Sequence, residues 1–317
     1  MTEQRNFSAP PFLLLLLLGC FLFLSLPPSA AGETPSPVIF SRGDTILLTD
    51  TAGAKPVQLS AGYDPEISPD GMYCAFTLTT EKDHGRKIAL FNIKAKKRSV
   101  PKSIPGNNNY GPRWSPDGKA LIFNYWVEKE SNWGIGHYSP GDGKFHQLAP
   151  ELLGVYSPFW SADGESVYCH DLDNLYRIDL SDGKVAEMRK LSEVIGEAMP
   201  SSAIHFSVSP DGNKWLFDGE VEDRGGWQKS GDGLIGALFL YLPGEGTTTR
   251  ITSDRISALS PSWIGDGEEY LFFGFTEKEM SRGKGGIFSL YRSSLSQEEP
   301  ELFLPDGVNP SAPRGLR

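Results

Sequence analysis

Short runs of apolar residues recur along the chain, and each run follows a turn signal. Five runs follow variants of one phrase, seen most clearly as Tyr-Gly-Pro-Arg-Trp-Ser-Pro-Asp-Gly-Lys-Ala-Leu-Ile-Phe at residues 110–123. Each phrase contains an aspartate followed by glycine. These aspartates stand at positions 70, 117, 163, 211 and 266, at steps of 47, 46, 48 and 55 residues. A repeat of this length that holds several short strands is typical of a β-propeller blade.

Each phrase predicts two strands joined by a tight turn. Residues 112–114 form an innermost strand, residues 115–118 a turn, and residues 119–125 a second strand. In such a turn proline presets φ, aspartate accepts hydrogen bonds from its own backbone, and glycine takes positive φ without a steric cost. We therefore interpret the five aspartates as turn formers and not as catalytic acids.

Two further strands complete each repeat. The clearest third strand is 174–180, where apolar and polar residues alternate before a Ser-Asp-Gly turn that leads into a fourth strand. Similar third strands are predicted at 87–93, 237–242 and 286–291. The pattern therefore indicates four strands per blade.

The two ends of the repeat region complement each other. Residues 38–59 contain strands two, three and four of a blade that lacks its first strand, and residues 307–313 supply a first strand without a blade. Pairing them would close the ring and remove the exposed sheet edges. We predict an all-β fold: a six-bladed propeller of four antiparallel strands per blade, closed by pairing of the N- and C-terminal segments in one blade.

The first residues predict export. Arg5 precedes an apolar run from Phe12 to Leu26, and small residues follow up to Ala31, as in a signal peptide of residues 1–31. The propeller would then span 32–317. The apolar run is shorter than the roughly 20 residues that a membrane-spanning helix needs, so we expect no transmembrane span and a periplasmic or secreted protein. An alternative is lipidation at Cys20, because Leu17-Leu18-Gly19-Cys20 has the form of a lipobox.

Composition limits the partners. The net charge of −10 and the pI near 5.1 argue against a nucleic acid, whose binders present clustered lysine and arginine. Cys74 and Cys169 lie in repeats that are not adjacent, so we predict two buried thiols and no disulfide. We expect a monomer.

The repeated phrase Pro-x-Trp-Ser-Pro-Asp-Gly-x-x-Leu-Ile-Phe, strongest at 112–123 and 158–169, resembles the repeat of the TolB-type six-bladed propellers. The resemblance covers 38–317 and implies a periplasmic propeller. It does not extend to TolB itself, because residues 31–38 leave no room for an amino-terminal α/β domain. We expect a binding or interaction module of the periplasm or cell envelope, without catalysis, whose partner is an envelope protein or a glycan. Some relatives of this kind are fused to serine peptidases, but the chain has no Gly-x-Ser-x-Gly and no hydrolase-sized segment, so we do not expect a peptidase.

Two groups of residues are candidates for binding. In a propeller the start of each first strand lies at the channel mouth, and tyrosines or polar residues recur there, either to bind a sugar or cation or to pack. The loop face carries aromatic and charged residues that suit a contact surface, among them those of a predicted loop from Asp218 to Asp232. The mouth candidates are Tyr63, Asp64, Tyr110, Tyr156 and His205, and the loop-face candidates are His84, Trp133 and Trp227.

The alternative function is a carbohydrate-active enzyme similar to oligogalacturonate lyases, with a metal or sugar site at the channel mouth. Propeller lyases of that kind use a histidine-rich manganese site. His170, Asp171 and His205 would be the ligands of a divalent cation here, and His170 or His205 would be needed for turnover. The five histidines show no close ligand spacing, so we expect no cofactor.

Overall fold

The computed structural model describes Met1 and residues 35–80, 85–224, 226, 233–280 and 287–314. Residues Pro35–Arg317 form one compact unit. Within the described residues the strands form six sheets, each of four strands in antiparallel order. The predicted all-β, six-bladed propeller is confirmed.

The blades are numbered from the amino terminus. Blade 1 begins with β1 (Pro37–Arg42), β2 (Thr45–Asp50) and β3 (Val57–Ala61). Blades 2 to 4 run from innermost to outermost strand as β4 (Tyr63–Ile67), β5 (Tyr73–Thr79), β6 (Arg86–Asn92), β7 (Lys97–Ser99); β8 (Asn109–Trp114), β9 (Leu121–Val127), β10 (Asn132–Ser139), β11 (Lys144–Leu148); and β12 (Tyr156–Trp160), β13 (Ser166–His170), β14 (Asn174–Asp179), β15 (Lys184–Lys190).

Blade 5 follows a short helix, α1 (Ser192–Ile195), and blade 6 contains another, α2 (Glu277–Glu279). Their strands are β16 (Phe206–Val208), β17 (Trp215–Glu222), β18 (Leu234–Leu242), β19 (Thr247–Arg250); and β20 (Ile256–Ile264), β21 (Glu269–Thr276), β22 (Ser289–Ser294), β23 (Glu301–Leu304). Neither helix, nor any other in the described part of the chain, is long and apolar enough to cross a membrane.

The ring closes in blade 1. The last strand, β24 (Val308–Ser311), pairs antiparallel with β1, so that Ile39 faces Ser311 and Ser41 faces Val308. The Ser311 hydroxyl also accepts a hydrogen bond of 3.1 Å from the Ile67 N–H of blade 2. The C-terminal segment therefore completes one blade and ties it to the next, as predicted.

The turn aspartates support the backbone. In blade 3 the Ser115 hydroxyl donates to Asp117 Oδ1 at 2.7 Å, and the same oxygen accepts from the Lys119 N–H at 3.1 Å. The turns at Asp70, Asp163 and Asp211 repeat this arrangement. At Asp163 the Ser161 hydroxyl, against a smaller opposing effect of burial, holds the pKa of the carboxyl below its usual range. The interpretation of these aspartates as turn formers is confirmed.

The tryptophan of the phrase joins neighbouring blades. Trp160 Nε1 donates to the Arg113 carbonyl at 3.0 Å, and Trp263 Nε1 donates to the Ser207 carbonyl at 3.0 Å. Both rings are buried between sheets, so each supplies apolar area and also satisfies a carbonyl of the preceding blade. Cys74 and Cys169 are free and buried, as predicted.

One predicted loop is shorter than the sequence suggested. We placed Asp218 at the start of a loop, but β17 continues to Glu222 and pairs with β18 up to Glu222 and Leu234. Asp218 therefore lies within a central strand, where it is almost fully buried. A charged residue usually predicts a loop and not a buried strand. Here the carboxylate of Asp218 accepts hydrogen bonds from backbone N–H groups.

Candidate functional site

A cavity opens at the channel mouth, on the side opposite the aspartate turns. Its volume is about 390 Å³, within the lower part of the range for ligand pockets. Its wall includes, from each of the six blades, the residue at one equivalent position in or next to the first strand. These are Asp64, Gly111, Ser157, His205, Ser260 and Asn309.

A bulge in the first strand aims these residues at the cavity. In blade 2 the register shifts between Tyr63 and Glu66, and blades 3, 4 and 6 shift at the equivalent place. A bulge turns one residue out of the regular alternation. The residues at this position in five of the blades have φ between 48° and 65°, which explains the choice of small or Asx residues there: Asp64, Gly111, Ser157, Ser260 and Asn309.

A belt of hydrogen bonds joins neighbouring blades around the mouth. Thr77 Oγ1 accepts from the Gly111 N–H at 3.0 Å, Asn124 Oδ1 from the Ser157 N–H at 3.2 Å, and Asp218 Oδ2 from the Ser260 N–H at 2.9 Å. In each pair a second-strand side chain binds the bulge of the following blade. The belt therefore fixes the shape of the cavity and the order of the blades together.

The second-strand members of the belt were not identified from the sequence. They all stand seven residues after the turn aspartate. This offset places one second-strand side chain per blade beside the channel. The constant offset from the aspartate is their signal in the sequence. The residues at this offset are Thr77, Asn124, His170, Asp218 and Phe273.

Asp218 carries the most perturbed carboxyl of the mouth. Its Oδ1 accepts from the His205 N–H at 2.5 Å and its Oδ2 from Ser260. Burial raises the pKa of Asp218 to about 6, against the hydrogen bonds that favour its charged form. Both oxygens are thus committed to backbone donors, and the carboxyl holds two blades together.

His205 lies beside a charged group deeper in the channel. Its Nδ1 is 2.6 Å from Arg113 Nη2, and because a guanidinium only donates, this nitrogen is an acceptor and the proton of the neutral ring is on Nε2. Burial, followed by the positive charges of Arg113 and Arg314, holds the pKa of His205 well below its usual range. The ring is neutral and oriented by Arg113.

Three of the five predicted mouth residues line the cavity: Asp64, Tyr110 and His205. Tyr63 and Tyr156 are not among the residues that line it. Each precedes a bulge residue, Asp64 or Ser157, and it is the bulge residue that faces the cavity. A binding role for these residues stays a prediction.

Trp133 extends the mouth toward the loop face. Its ring packs edge-on against Tyr110 at a centroid distance of 5.1 Å and against Trp126 at 5.0 Å. The Arg86 guanidinium covers the Tyr110 ring at 4.1 Å, and Arg86 Nε donates to Asn108 Oδ1 at 2.8 Å. A mouth candidate and a loop-face candidate therefore belong to one aromatic cluster. His84 and Trp227, with residues 2–31, lie outside the described residues.

The three residues considered for a metal have different surroundings. Asp171 accepts from the Tyr176 hydroxyl at 2.6 Å and from the Asn174 N–H at 2.7 Å, which caps a hairpin. His205 faces Arg113. His170 is fully buried, and neither ring nitrogen has a hydrogen-bond partner. In the described ranges no group of three or more His, Cys, Asp or Glu side chains is placed to hold a metal ion.

Buried His170 predicts a loss of stability in acid. Burial lowers the pKa of His170 to about 4, below the value of about 6.5 expected in the unfolded chain. The unfolded state therefore binds more protons as the pH falls from about 6.5 to 4, and folding stability is lost in that window. Between pH 7.5 and 4.5 we expect His170 to account for roughly 2–3 kcal/mol of that loss.

The measurement is urea unfolding of wild type and His170→Leu at both pH values. Leucine removes the titrating group and two unpartnered nitrogens, so the variant should be at least as stable as wild type at pH 7.5 and lose less stability at pH 4.5. Equal acid losses in the two proteins would show that His170 does not titrate in this way.

No protein-family profile matches the chain. A curated relative is 26% identical over 215 residues: the "Uncharacterized peptidase YuxL" of Bacillus subtilis (strain 168). The matched region covers 66% of this chain and 29% of that protein. The chain thus spans less than a third of the length of this relative.

Solved structures share the fold. TolB from Acinetobacter baumannii superposes with a TM-score of 0.63 at 16% identity, over 88% of this chain and 67% of that chain. A puromycin-hydrolyzing peptidase from Mycobacterium tuberculosis superposes with a TM-score of 0.50 at 16% identity, over 85% of this chain and 43% of that one. The TolB-type propeller fold is confirmed.

These comparisons correct the functional expectation. We expected a non-catalytic interaction module and set aside the peptidases on length, but the curated relative is named a peptidase. The length argument excludes only a hydrolase domain within these residues. It does not bear on whether the propeller serves hydrolysis, and the non-catalytic interpretation is wrong.

Proposed function

We propose that this chain serves peptide hydrolysis, and that the cavity at its channel mouth binds a short stretch of the peptide substrate. The observation that carries the proposal is the match over 215 residues to a curated protein named a peptidase. A propeller of similar fold also occurs in the puromycin-hydrolyzing peptidase. Both proteins are considerably longer than the part matched here.

The chemistry of the cavity suits a peptide. Asn124 and Asn309 offer amide donors and acceptors, Ser157 and Ser260 offer hydroxyls, and Ile204, Leu259 and Phe273 offer apolar wall. Asp64 and Glu220 provide negative charge for an ammonium group. A main chain alternates amide donors and acceptors with side chains, so such a mixed wall matches it better than an apolar or a uniformly charged wall would.

The size of the cavity favours a short segment. A cavity of about 390 Å³ holds a few residues of an extended chain and excludes a folded domain. Residues 201–204 lie across part of the mouth, and the Ser157 hydroxyl donates to the Ser202 carbonyl at 2.8 Å. This segment therefore narrows the entrance to the cavity. The cavity would admit a peptide end or an unfolded strand in preference to a compact protein.

The titratable groups at the mouth are suited to binding and positioning. Asp218 uses both oxygens to hold backbone N–H groups, and the His205 ring is held by Arg113. These hydrogen bonds fix the orientation of both side chains and hold the wall of the cavity in place. We therefore assign the mouth to substrate binding within a hydrolytic function.

We also propose that the protein is exported. The apolar run 12–26, the preceding Arg5 and the small residues up to Ala31 together have the form of a cleaved leader. The peptides available to the protein would then be those of the periplasm or the medium. Edman sequencing of the protein from the cell envelope or medium should begin at Gly32, and an intact Met1 there would contradict export by cleavage.

The test incubates the full chain with a defined mixture of peptides of three to ten residues. Ultrafiltration followed by mass spectrometry measures which peptides are retained and whether new termini form. We expect saturable retention of one peptide per chain. If no peptide is either retained or cleaved, the proposal is wrong.

A variant that fills the mouth locates the binding. Ser202 is exposed and lines the cavity, and its hydrogen bond uses only its backbone carbonyl. Ser202→Trp should therefore keep the fold and reduce retention at least about tenfold, the loss of roughly 1.4 kcal/mol of binding free energy. The matched control is Ser296→Trp, at an exposed turn after β22, which should retain peptides as wild type does. Equal retention by both variants would move the binding away from the mouth.

A further inference from the structure

We propose that Arg86, at the edge of the mouth cavity, binds the C-terminal carboxylate of a peptide, so that the protein selects peptides by their free C-terminal end. This inference rests on the proposed function and deepens it, because it names the part of the peptide that is recognised. Arg86 is not itself among the residues that line the cavity, but its guanidinium lies over the ring of Tyr110, which is one of them.

Arg86 differs from the other half-buried arginines in the described part of the chain. Each of the others forms an ion pair with an aspartate or a glutamate. These paired arginines are Arg42, Arg113, Arg177, Arg189, Arg250, Arg292 and Arg314. In the described ranges, no carboxylate lies within ion-pair distance of the Arg86 guanidinium. A partly buried guanidinium of this kind is suited to bind an anionic group of a ligand.

The neighbouring carboxylate of Asp64 is held by neutral groups. Its Oδ2 accepts a hydrogen bond from the Thr77 hydroxyl at 3.1 Å, and its Oδ1 accepts one from Asn309 Nδ2 at 3.4 Å. Burial raises the pKa of Tyr110, and the charge of Arg86 opposes this rise more strongly than the charge of Asp64 adds to it. Beside Tyr110 the positive charge of Arg86 therefore has the larger effect.

Contacts with neighbouring groups hold the Arg86 side chain in place. The guanidinium carbon lies 4.1 Å from the centroid of the Tyr110 ring and 5.5 Å from that of Trp133, and Nε donates to Asn108 Oδ1 at 2.8 Å. The donors on the two Nη atoms have no acceptor among the described residues. A guanidinium that stacks on an aromatic ring keeps its in-plane N–H donors. Because the side chain is already oriented, it loses little entropy when a ligand binds.

These features indicate a carboxylate as the ligand group. The paired N–H donors of a guanidinium match the two oxygens of a carboxylate or a phosphate. Asp64 and Glu220 on the cavity wall are acidic, and the single charge of Arg86 therefore favours a monoanion over a phosphate dianion. A C-terminal carboxylate is attached directly to the main chain, for which Asn124 and Asn309 offer amide partners in the cavity.

The ring of blades also gives the bound peptide a direction. The blades follow one another around the channel in chain order, so blades 2 and 5 lie on opposite sides of the mouth. Arg86 belongs to blade 2 and Glu220, on the cavity wall, belongs to blade 5. A short peptide would therefore place its C-terminal carboxylate toward blade 2 and its ammonium group toward blade 5.

Matched peptides with a free C-terminal acid or a C-terminal amide test the proposal. Ultrafiltration and mass spectrometry measure the Kd of both members of each pair for the full wild-type chain. We expect the acid to bind at least about tenfold more tightly, because the amide lacks the charge-assisted hydrogen bonds to Arg86. Equal binding of acid and amide would overturn this inference and leave peptide binding intact. Retention of neither peptide would contradict the proposed function itself, and this inference with it.

Peptides that end in an amidated glutamate separate the C-terminal carboxylate from a side-chain carboxylate. They carry a carboxylate in the last residue but none on the main chain. We expect them to bind as weakly as the other amides. Binding as tight as that of the free acids would show that Arg86 accepts any carboxylate, and it would overturn selection by the C-terminal end.

Variants locate the recognition at Arg86. Arg86→Gln should weaken binding of the acid to the level of the amide and leave binding of the amide unchanged, and Arg86→Lys should keep part of the preference through its charge. The control is Arg292→Gln, because Arg292 is also half-buried and is paired with Glu269 in blade 6. It should keep the full preference. Equal weakening of acid and amide in Arg86→Gln would show that Arg86 only supports the shape of the mouth, which would overturn the proposal.

Discussion

A chain that ends at Asp306 is expected to lose the cooperative folding of the propeller. Without β24 the sheet of blade 1 has three strands, and β1 presents an unpaired edge along the channel. The deletion also removes the Ser311 hydroxyl from the Ile67 N–H and Asn309 from the Ser260 hydroxyl. We expect the loss of most of the folding free energy, which is about 5–15 kcal/mol for a typical domain, together with aggregation through the open edge.

Circular dichroism during heating and size-exclusion chromatography measure this result. The matched control is a chain that ends at Arg314, which keeps β24 and the Arg314 contacts to Glu66 and the Val208 carbonyl. This control should melt within about 2 °C of wild type. A soluble monomer of unchanged Tm from the chain that ends at Asp306 would show that the terminal segment does not close the ring.

Replacing Gly274 by alanine is expected to destabilise the protein more than one added methyl group at any other position in blade 6. Gly274 pairs with Ala258 across β20 and β21, and an added Cβ would overlap the Ser257 carbonyl oxygen and crowd the Ala258 Cα. Both obstacles are backbone and cannot rotate away. The two strands must separate, so we expect a loss of about 3 kcal/mol or more, at the upper end of the usual cost of overpacking.

The strain should also reach the mouth, because Phe273, the residue before Gly274, lines the cavity. Urea unfolding of Gly274→Ala measures the stability. The control is Gly244→Ala, in the exposed turn between β18 and β19, where nothing lies within 4 Å of the added Cβ. That variant should be unchanged or slightly more stable, since alanine lowers the entropy of the unfolded chain. Equal stability of both variants would show that β20 yields without cost.

Much of the fold was predictable, because the blades of the propeller repeat the same pattern of strands and turns. A Ser-x-Asp-Gly turn requires the same donors and acceptors in blades 2 to 5, so its sequence recurs at Asp70, Asp117, Asp163 and Asp211. The closing strand could be predicted for a similar reason: residues 307–313 have the form of a first strand that lacks its partners.

The channel was harder to predict, because its residues differ from blade to blade. The position seven residues after the turn aspartate is threonine, asparagine, histidine, aspartate or phenylalanine in successive repeats. No residue type marks it, and only its constant offset does. Asp218 was placed in a loop for this reason, although its carboxylate has two backbone donors that keep it inside a strand.

Contacts between distant parts of the chain were not available from local patterns. The contact between Trp133 in β10 and Tyr110 in β8 joins two strands of blade 3 that are not neighbours in its sheet. Arg314 reaches Glu66 across the channel from the opposite end of the sequence. Neither pairing has a periodic signal. The first follows from the packing of blade 3 and the second from the closure of the ring.

The function illustrates the same limit. The repeat indicated a propeller, but propellers support unrelated functions, and the sequence contains no motif that distinguishes a binding scaffold from a part of a hydrolase. The curated relative that is named a peptidase supports the hydrolytic function proposed above. Within the mouth, the hydrogen bonds of Asp218 and His205 suit these residues to a positioning role in that proposed function.

The most direct test of peptide binding at the mouth is a crystal structure of the full chain with the most strongly retained peptide. We predict continuous difference density for two or more peptide residues in the cavity bounded by Asp64, Tyr110 and Ser260, with main-chain hydrogen bonds to Asn124 or Asn309. A cavity that holds only water while the peptide occupies another surface, or no surface, would contradict the assignment of the mouth to substrate binding.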